Sequence, residues 1–472
     1  MAMAAENLVR SEHGKTGNGS LAKKAPPSRR FVSTIHMTVC KFPRFQNVSR
    51  QGYICTPIGK RESVANKALA LNFYQCNAPT MTSAHCDIAV IGGGIAGLWA
   101  LHRLKSAGYS AVLIESDSLG GAQTLASQGI LHGGQKYNLG GKSDSITERL
   151  RDQPGHWLRC VAGEESPDLS GTKILSDHQL MWAGGGLIAA TAAAVGVKTL
   201  EGQVEKLRGE RPAVFEEIGF KGSIYKLHET ILDIKSVVEA LVKPVADDCY
   251  CAEISDFQTG PEGLKSITLR SQDETVELSA DAFLFSAGSG NELAAKELDF
   301  PMPATQRRPL KQVMVRDVPW TLYGHCIQAS PKPRATITTH PGGVWYMGGD
   351  IAEKSVGKSD EEAVRFAASE LTAIFPGIDW SAYEFAAWDI DRAEPHTPSG
   401  KLPPDPVLHD QGNAALAWPT KLVLAPALAD RALNWAKECT VPSGADADRL
   451  SLPKAPVGLY PWELATNWIR PK

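Results

Sequence analysis

Asp87-Ile88-Ala89-Val90-Ile91-Gly92-Gly93-Gly94-Ile95-Ala96-Gly97-Leu98 decides how this 472-residue chain folds. The apolar run Ile88 to Ile91 predicts a strand, and the turn after it meets G-x-G-x-x-G through Gly92, Gly94 and Gly97. Gly92 permits the tight bend, Gly94 lets a pyrophosphate approach backbone with no Cβ between, and Gly97 lets the next helix pack close on the strand. Ile95 and Ala96 open that helix, so unpaired N–H groups and the positive end of its dipole face the phosphates. Leu98, Leu101 and Leu104 carry it to Gly108, a C-terminal stop. A second strand, Ala111 to Ile114, ends at Glu115-Ser116, near the roughly 20-residue spacing expected of a ribose-binding acid. Strand, glycine turn, helix and acid together predict a dinucleotide site.

The next segment, Ser118 to Tyr137, separates the nicotinamide and flavin alternatives. It is too small, polar and glycine-rich for the second crossover helix of a plain nicotinamide fold, and suits backbone lying against something flat and large. Here the chain resembles the FAD-dependent oxidoreductases that include D-amino-acid oxidase, glycine oxidase, L-2-hydroxyglutarate dehydrogenase and glycerol-3-phosphate dehydrogenase. In the last two, a small hydroxyl-rich run precedes Ile-His-Gly-Gly or Ile-His-Ser-Gly, then a basic residue and Tyr. The matching positions are Leu131-His132-Gly133-Gly134 and Lys136-Tyr137. The resemblance implies FAD as cofactor, with Thr124, Ser127, Gln128 and Gly129 against it. It also implies an α/β fold, in which a discontinuous Rossmann-like FAD-binding domain carries an inserted mixed-sheet α+β substrate domain.

Length and composition agree. The chain is longer than one core normally serves, and 43% hydrophobic with 21% charged residues is ordinary globular composition. A net charge of -3 argues against nucleic acid as a partner. Nine cysteines without C-x-x-C spacing suit reduced thiols in an intracellular compartment, with Cys249 and Cys251 an incidental strand pair. Leu180 to Val197 is uncharged but rich in Ala and Gly, which favours a strand through Trp182 and a buried helix from Leu187 to Val195 over a transmembrane segment. Peripheral membrane contact stays open. Residues 1–83 form a basic leader that the fold does not need. One reading is a disordered or mistranslated leader, since Met81 to Asp87 resembles an ordinary start, with a cytoplasmic protein expected; the alternative is a mitochondrial transit peptide, against which Glu6 and Glu12 weigh.

Farther along, Ile174 to Trp182 and Ile224 to Leu227 predict strands, and Val204 to Ile218 a helical stretch interrupted by Pro212. A helix starts near Asp233 with Val237, Val238 and Leu241 on its apolar side. Ala280 to Gly288 is a strand ending in Ala287-Gly288, similar to the strand that crosses near FAD in the family. Pro309–Arg316, Gly324–Gln328, Arg334–Thr339 and Val344–Gly348 predict strands, with a hairpin turn at Pro341-Gly342-Gly343. Ser359 and Glu362 form a capping box for a helix presenting Ala363, Phe366, Ala367, Leu371 and Ile374. His340, Trp345 and Tyr346 are candidates to line a roof over the flavin, packing being the plainer role. The resemblance implies an FAD domain of segments 84–150, 229–300 and 385–440, a substrate domain of 151–228 and 301–384, and a C-terminal extension of 441–472.

Two late stretches carry the substrate expectations. Arg392-Ala393-Glu394-Pro395-His396-Thr397 resembles the family's Gly-Leu-Arg-Pro-x-Thr stretch, whose Arg reaches the substrate's anionic group; Arg392 is the expected anchor. A guanidinium suits the task because its planar fork grips a carboxylate or phosphate bidentately and stays charged. Thr420-Lys421-Leu422 precedes Leu424-Ala425-Pro426-Ala427, which is similar to the helix start facing the flavin pyrimidine ring in amino-acid oxidases, although Trp418-Pro419-Thr420 stands where those families usually have Gly. Implied roles are anion binding for Arg392, with Lys136 and Lys421, and flavin-side steric or proton handling for His132. The expected reaction is oxidation of CH–OH or CH–NH in a small anionic substrate, with oxygen, a quinone or another flavoprotein as electron acceptor. An NAD-dependent enzyme with the same glycine fingerprint and a non-catalytic flavin-binding protein are the alternatives.

Overall fold

A computed structural model describes residues 81–133, 152–183, 204–272, 274–302, 304–328 and 332–472. Residues 1–80 of the leader, Lys136 and the helix expected at 187–195 lie outside these residues, while Thr82 and Ser83, placed in the leader by the sequence, open the first strand. Two eight-stranded sheets organise what is described.

The first sheet runs Val407–Gln411, Ala414–Trp418, Glu274–Phe285, Thr82–Ile91, Ala111–Glu115 and Cys249–Cys251, with Glu253–Gly260 and Gly263–Ser271 joined as a ribbon beside Glu274–Phe285. Its centre is parallel, Thr82–Ile91 lying between Val276–Phe285 and Ala111–Ile114. Continuous apolar runs suit strands covered on both faces. Alternation then sorts the side chains: Ile88, Val90, Leu113 and Leu284 pack under the helices Ile95–Ser106 and Ala425–Cys439. Ala89, Ile91, Val112, Phe283 and Phe285 pack on the opposite face with Ile267 and Leu269 of the ribbon. The predicted helix after Asp233 spans Ile234–Val242, with the Asp233 side chain accepting from the Ser236 N–H.

The second sheet runs Phe385–Pro395, Thr305–Val315, Val344–Gly348, Ala335–His340, Gly324–Ile327, Gln179–Ala183, Ile224–Leu227 and Val204–Lys206. Val313, Val315, Ile337, Trp345 and Met347 face the helix Asp360–Ile374 and share its core. The expected capping box closes that helix, Ser359 Oγ accepting from the Glu362 N–H at 3.2 Å and Glu362 Oε2 from the Ser359 N–H at 2.9 Å. Neighbouring positions on these strands turn the other way. Gln128 of the glycine-rich loop donates from Nε2 to Thr336 O, Thr338 Oγ1 and Tyr346 O, which ties the loop to this face.

Three expectations change. Val204–Lys206 is a strand, because it pairs with Tyr225–Leu227, and the helix is confined to Ala213–Glu217 after Pro212. Phe385–Pro395, expected at the start of an FAD-domain segment, pairs along its whole length with Thr305–Val315 in the second sheet. Residues 441–472 are no appendage. They bond to the first sheet's surroundings through Leu119 N to Pro456 O (2.8 Å) and Ala455 N to Cys249 O (3.1 Å), and to the second sheet through Phe385 and Ile469. His340, Trp345 and Tyr346 are packing residues: Trp345 lies in the helix-side core, and His340 is wedged against Tyr346, Tyr460 and Trp462.

Candidate active site

A cavity of about 860 Å³ opens along the carboxyl ends of the first sheet's parallel strands and reaches the Arg308 and Arg392 ends of the second sheet's edge pair. Ligand pockets in proteins span about 300–1,000 Å³. Its wall contains Gly92, Gly94, Ile95, Ala96, Glu115, Ser116, Thr124, Ser127, Gln128, Gly129, Ala287, Gly288, Thr420, Lys421, Leu422, His132 and Arg392. Gly97 stands just behind. A Cβ there would sit 2.0 Å from Gly92 O and 2.7 Å from Ser286 Oγ, so its role is close helix–strand packing.

The turn is held from several sides. Gly92 takes φ +103°, and a Cβ on it would meet Ala287 Cα at 2.6 Å, so the fingerprint and the Ala287-Gly288 strand end abut. Glu115 Oε2 accepts from the Gly93 N–H at 2.6 Å, and its Oε1 from the Asp117 N–H at 3.0 Å. Thr124 Oγ1 accepts from the Ile95 N–H at 3.0 Å, while Gly94, at the helix N-cap, has no side chain to cover the first turn. Backbone N–H groups and a positive helix end thus face the cavity. Gly129 (φ +70°) is clipped to the neighbouring chain by the bond from Leu232 N to Gly129 O at 2.9 Å. Ser127 Oγ is buried without a hydrogen-bond partner among the described residues. A glycine cradle, an acid at the second strand's end and an orphaned hydroxyl fit a dinucleotide carrying a flat polar ring.

Comparison with known proteins agrees with that geometry. The family profile described as FAD dependent oxidoreductase (DAO) matches residues 87–417. The probable FAD-dependent oxidoreductase PA4991 of Pseudomonas aeruginosa is 39% identical over 387 residues, covering 80% of this chain and 98% of that protein. This chain belongs to the DAO family of FAD-dependent oxidoreductases. The crystal structure of PA4991 superposes with a TM-score of 0.69 at 36% identity, over 82% of this chain and 100% of that one. Glycine oxidase from Geobacillus kaustophilus shares the fold, with a TM-score of 0.56 at 16% identity over 76% of this chain and 96% of the other. The nicotinamide and non-catalytic alternatives fall with these findings. Among the described residues of this DAO-family oxidoreductase, no helix is long and apolar enough to cross a membrane.

The far wall of the DAO-family cavity is charged. Arg392 lies directly opposite Arg308 in the antiparallel pair Thr305–Val315/Phe385–Pro395, and its Nε donates to Arg308 O at 3.1 Å. Burial, and then the Arg308 charge, lower the Arg392 pKa from its ordinary value. Arg308 grips Glu394 as a fork, with Nε to Oε2 and Nη2 to Oε1 both 2.6 Å. Set on Pro395 and Thr397, the Gly-Leu-Arg-Pro-x-Thr pattern places Glu394, not Arg392, at its Arg; Arg392 stands two residues earlier on the same strand face. Arg308 and Glu394 escaped the sequence reading because only strand pairing brings positions 308 and 394 together.

Beside the glycine-rich loop, His132 Nδ1 lies 3.0 Å from Glu229 Oε2, and its ring stacks on His325 with centroids 6.2 Å apart. Thr420 adopts φ +61°, the left-handed conformation that suits the glycine usual in the family. It leads into the short 3-10 turn Leu422–Leu424 and the helix Ala425–Cys439, whose N-terminus carries Pro426.

Proposed function

We propose that this enzyme oxidises the CH–OH or CH–NH group of a small anionic substrate: a 2-hydroxy acid, a polyol phosphate or an amino acid. The observation that carries the reading is the pair Arg308 and Arg392, side by side on the wall of the cavity that the glycine fingerprint also lines. Two guanidiniums opposed in a β-pair repel unless an anion joins them. Glu394 forks onto Arg308 while its charge also reaches Arg392, and Arg392, which does not share that fork, is the guanidinium we assign to the substrate's carboxylate or phosphate.

In this assignment Gly92, Gly94, Ile95, Ala96, Gly97, Glu115 and Ser116 hold the pyrophosphate and ribose of FAD. Thr124, Ser127, Gln128, Gly129, Ala287, Gly288, Thr420 and Leu422 hold the ring end. FAD, when bound, accepts the two electrons of the substrate's C–H bond as hydride. The chain's own residues orient and discharge: Arg392, assisted by Lys421 and Lys136, fixes the anionic end, and His132 stands where the leaving proton can be taken. The N-terminal end of Ala425–Cys439 offers positive dipole potential beside Thr420–Leu422. Segments 84–150, 229–300 and 396–440 form the cofactor domain, and 151–228 with 301–395 the substrate domain. Oxygen, a quinone or another flavoprotein reoxidises the enzyme, which we place in the cytoplasm unless residues 1–80 direct it to mitochondria.

Anaerobic mixing of the purified enzyme with a panel of amino acids, 2-hydroxy acids and polyol phosphates tests the proposal. At least one class should bleach the bound flavin, and Arg392→Ala should weaken its apparent affinity by about tenfold or more, as expected for a lost charge-assisted contact worth about 1.5–3 kcal/mol. Bleaching by neutral compounds alone, or an Arg392→Ala enzyme with unchanged affinity, would refute it.

A further inference from the structure

The wall around His132 contains a buried carboxylate that the dinucleotide fingerprint does not use. Backbone bonds from Leu131 N to Thr230 O and from Leu232 N to Gly129 O, both 2.9 Å, clip the end of the glycine-rich loop to the segment after Glu229. His132 and Glu229 are thereby set face to face. Glu229 Oε2 lies 3.0 Å from His132 Nδ1 and accepts from Gln179 Nε2 at 2.8 Å. The Glu229 side chain is only 1% exposed and Gln179 is fully buried; His132, by contrast, reaches the cavity wall. His325 backs the imidazole from the next strand, its own Nδ1 lying 2.8 Å from Thr336 Oγ1.

We propose that Glu229 is a positioning residue that orients His132, so that Nε2 of His132 takes the proton released as substrate is oxidised. The inference rests on the reaction proposed above. A carboxylate buried this deeply costs several kcal/mol unless it is paired and hydrogen-bonded. Its pairing with the ring that touches the cavity engages Nδ1, and Nε2 is the nitrogen assigned to proton exchange with a ligand. The same carboxylate stabilises the imidazolium that forms, the arrangement by which a buried acid fixes a histidine's tautomer without itself taking the proton. The balance is complete: the C–H pair leaves as hydride to the family's FAD, the O–H or N–H proton goes to Nε2, and the product keeps a C=O or C=N bond. Gln179 holds Glu229 in place through its amide.

The test uses the FAD-loaded full chain with ¹⁵N-labelled histidine, the His132 resonance being assigned by its loss in His132→Asn. Without any substrate, wild-type His132 should be the Nδ1–H tautomer, and Glu229→Gln should remove that preference while flavin content stays full. With a substrate that bleaches the wild type, Glu229→Gln should slow bleaching about 10²-fold at saturation with little change in apparent Kd, and Glu229→Asp should recover most of the loss. If Glu229→Gln does not fold, Gln179→Leu should weaken the same tautomer preference. A tautomer indifferent to both variants, an unchanged bleaching rate, or one equivalent of tightly bound divalent metal on His132, Glu229 and His325 would overturn the assignment. Because the tautomer needs no substrate, an Nδ1–H signature that Glu229→Gln abolishes, with no anionic compound bleaching the flavin, would count against the substrate class and not against the positioning role.

Discussion

Replacing Glu394 by Gln should lower stability and tighten anion binding at once, two effects of opposite benefit from one lost charge. Glu394 is 5% exposed on its side chain and forks onto Arg308, which is 33% exposed. Removing one partner of a buried pair costs about 3–5 kcal/mol; Arg308 retains water on one side, which brings the expected loss toward about 2 kcal/mol. In the cavity, the cluster Arg308, Arg392 and Glu394 carries +1 +1 −1 = +1, and the variant carries +2. For a bound anion about 6 Å from the vanished carboxylate at an effective dielectric near 20, the Coulomb gain is about 3 kcal/mol. Screening at the open side reduces this to about 1.4 kcal/mol, or roughly tenfold in Kd. The assay is perturbation of the bound flavin's visible spectrum by simple carboxylates and phosphate, beside a thermal unfolding scan of the same samples. Anion binding that weakens or stays constant in a folded, less stable variant would refute the charge arithmetic and the assignment of this wall to the substrate's anionic end.

Gly129→Ala should strip the flavin. Its Cβ would stand 2.1 Å from Leu232 O in a residue held at φ +70°, which adds about 1–2 kcal/mol of backbone strain; full FAD content after purification would contradict this. Tyr460→Phe removes a hydroxyl that donates to Asp233 Oδ1 at 2.6 Å and accepts from the Lys235 N–H at 2.8 Å, so denaturant unfolding should show a loss of about 1–3 kcal/mol, and no loss would mean that residues 441–472 do not brace the fold. Burial lowers the His340 pKa to about 4. A depressed folded pKa means stability fully present above the unfolded value near 6.5 and lost as pH falls toward about 4, by about 3 kcal/mol in total. His340→Gln should flatten that part of the stability–pH curve, and an unchanged slope between pH 6.5 and 4 would rule the histidine out.

The glycine-turn half of the cavity was legible because its chemistry is local. Gly92, Gly94 and Gly97 answer to steric demands within one turn, and Glu115 follows at a spacing set by one helix and one strand, so a linear pattern holds all the information. The half we assign to substrate was legible only in outline, because its residues meet through pairing between distant strands. Arg308 and Arg392 are 84 positions apart, and the sign of the cavity wall depends on whether Glu394 faces Arg308 or solvent, which the register decides. The same holds for Glu229, 97 positions from His132 and silent until the loop is clipped beside it. Val204–Lys206 misled for the complementary reason: its short segment has helix-compatible residues, and only the partner Ile224–Leu227 makes it a strand. Much of this cavity's side-chain chemistry is therefore written in long-range pairs. In this chain those pairs place Arg392 beside the Arg308–Glu394 fork, and a buried carboxylate behind the histidine on the cavity wall.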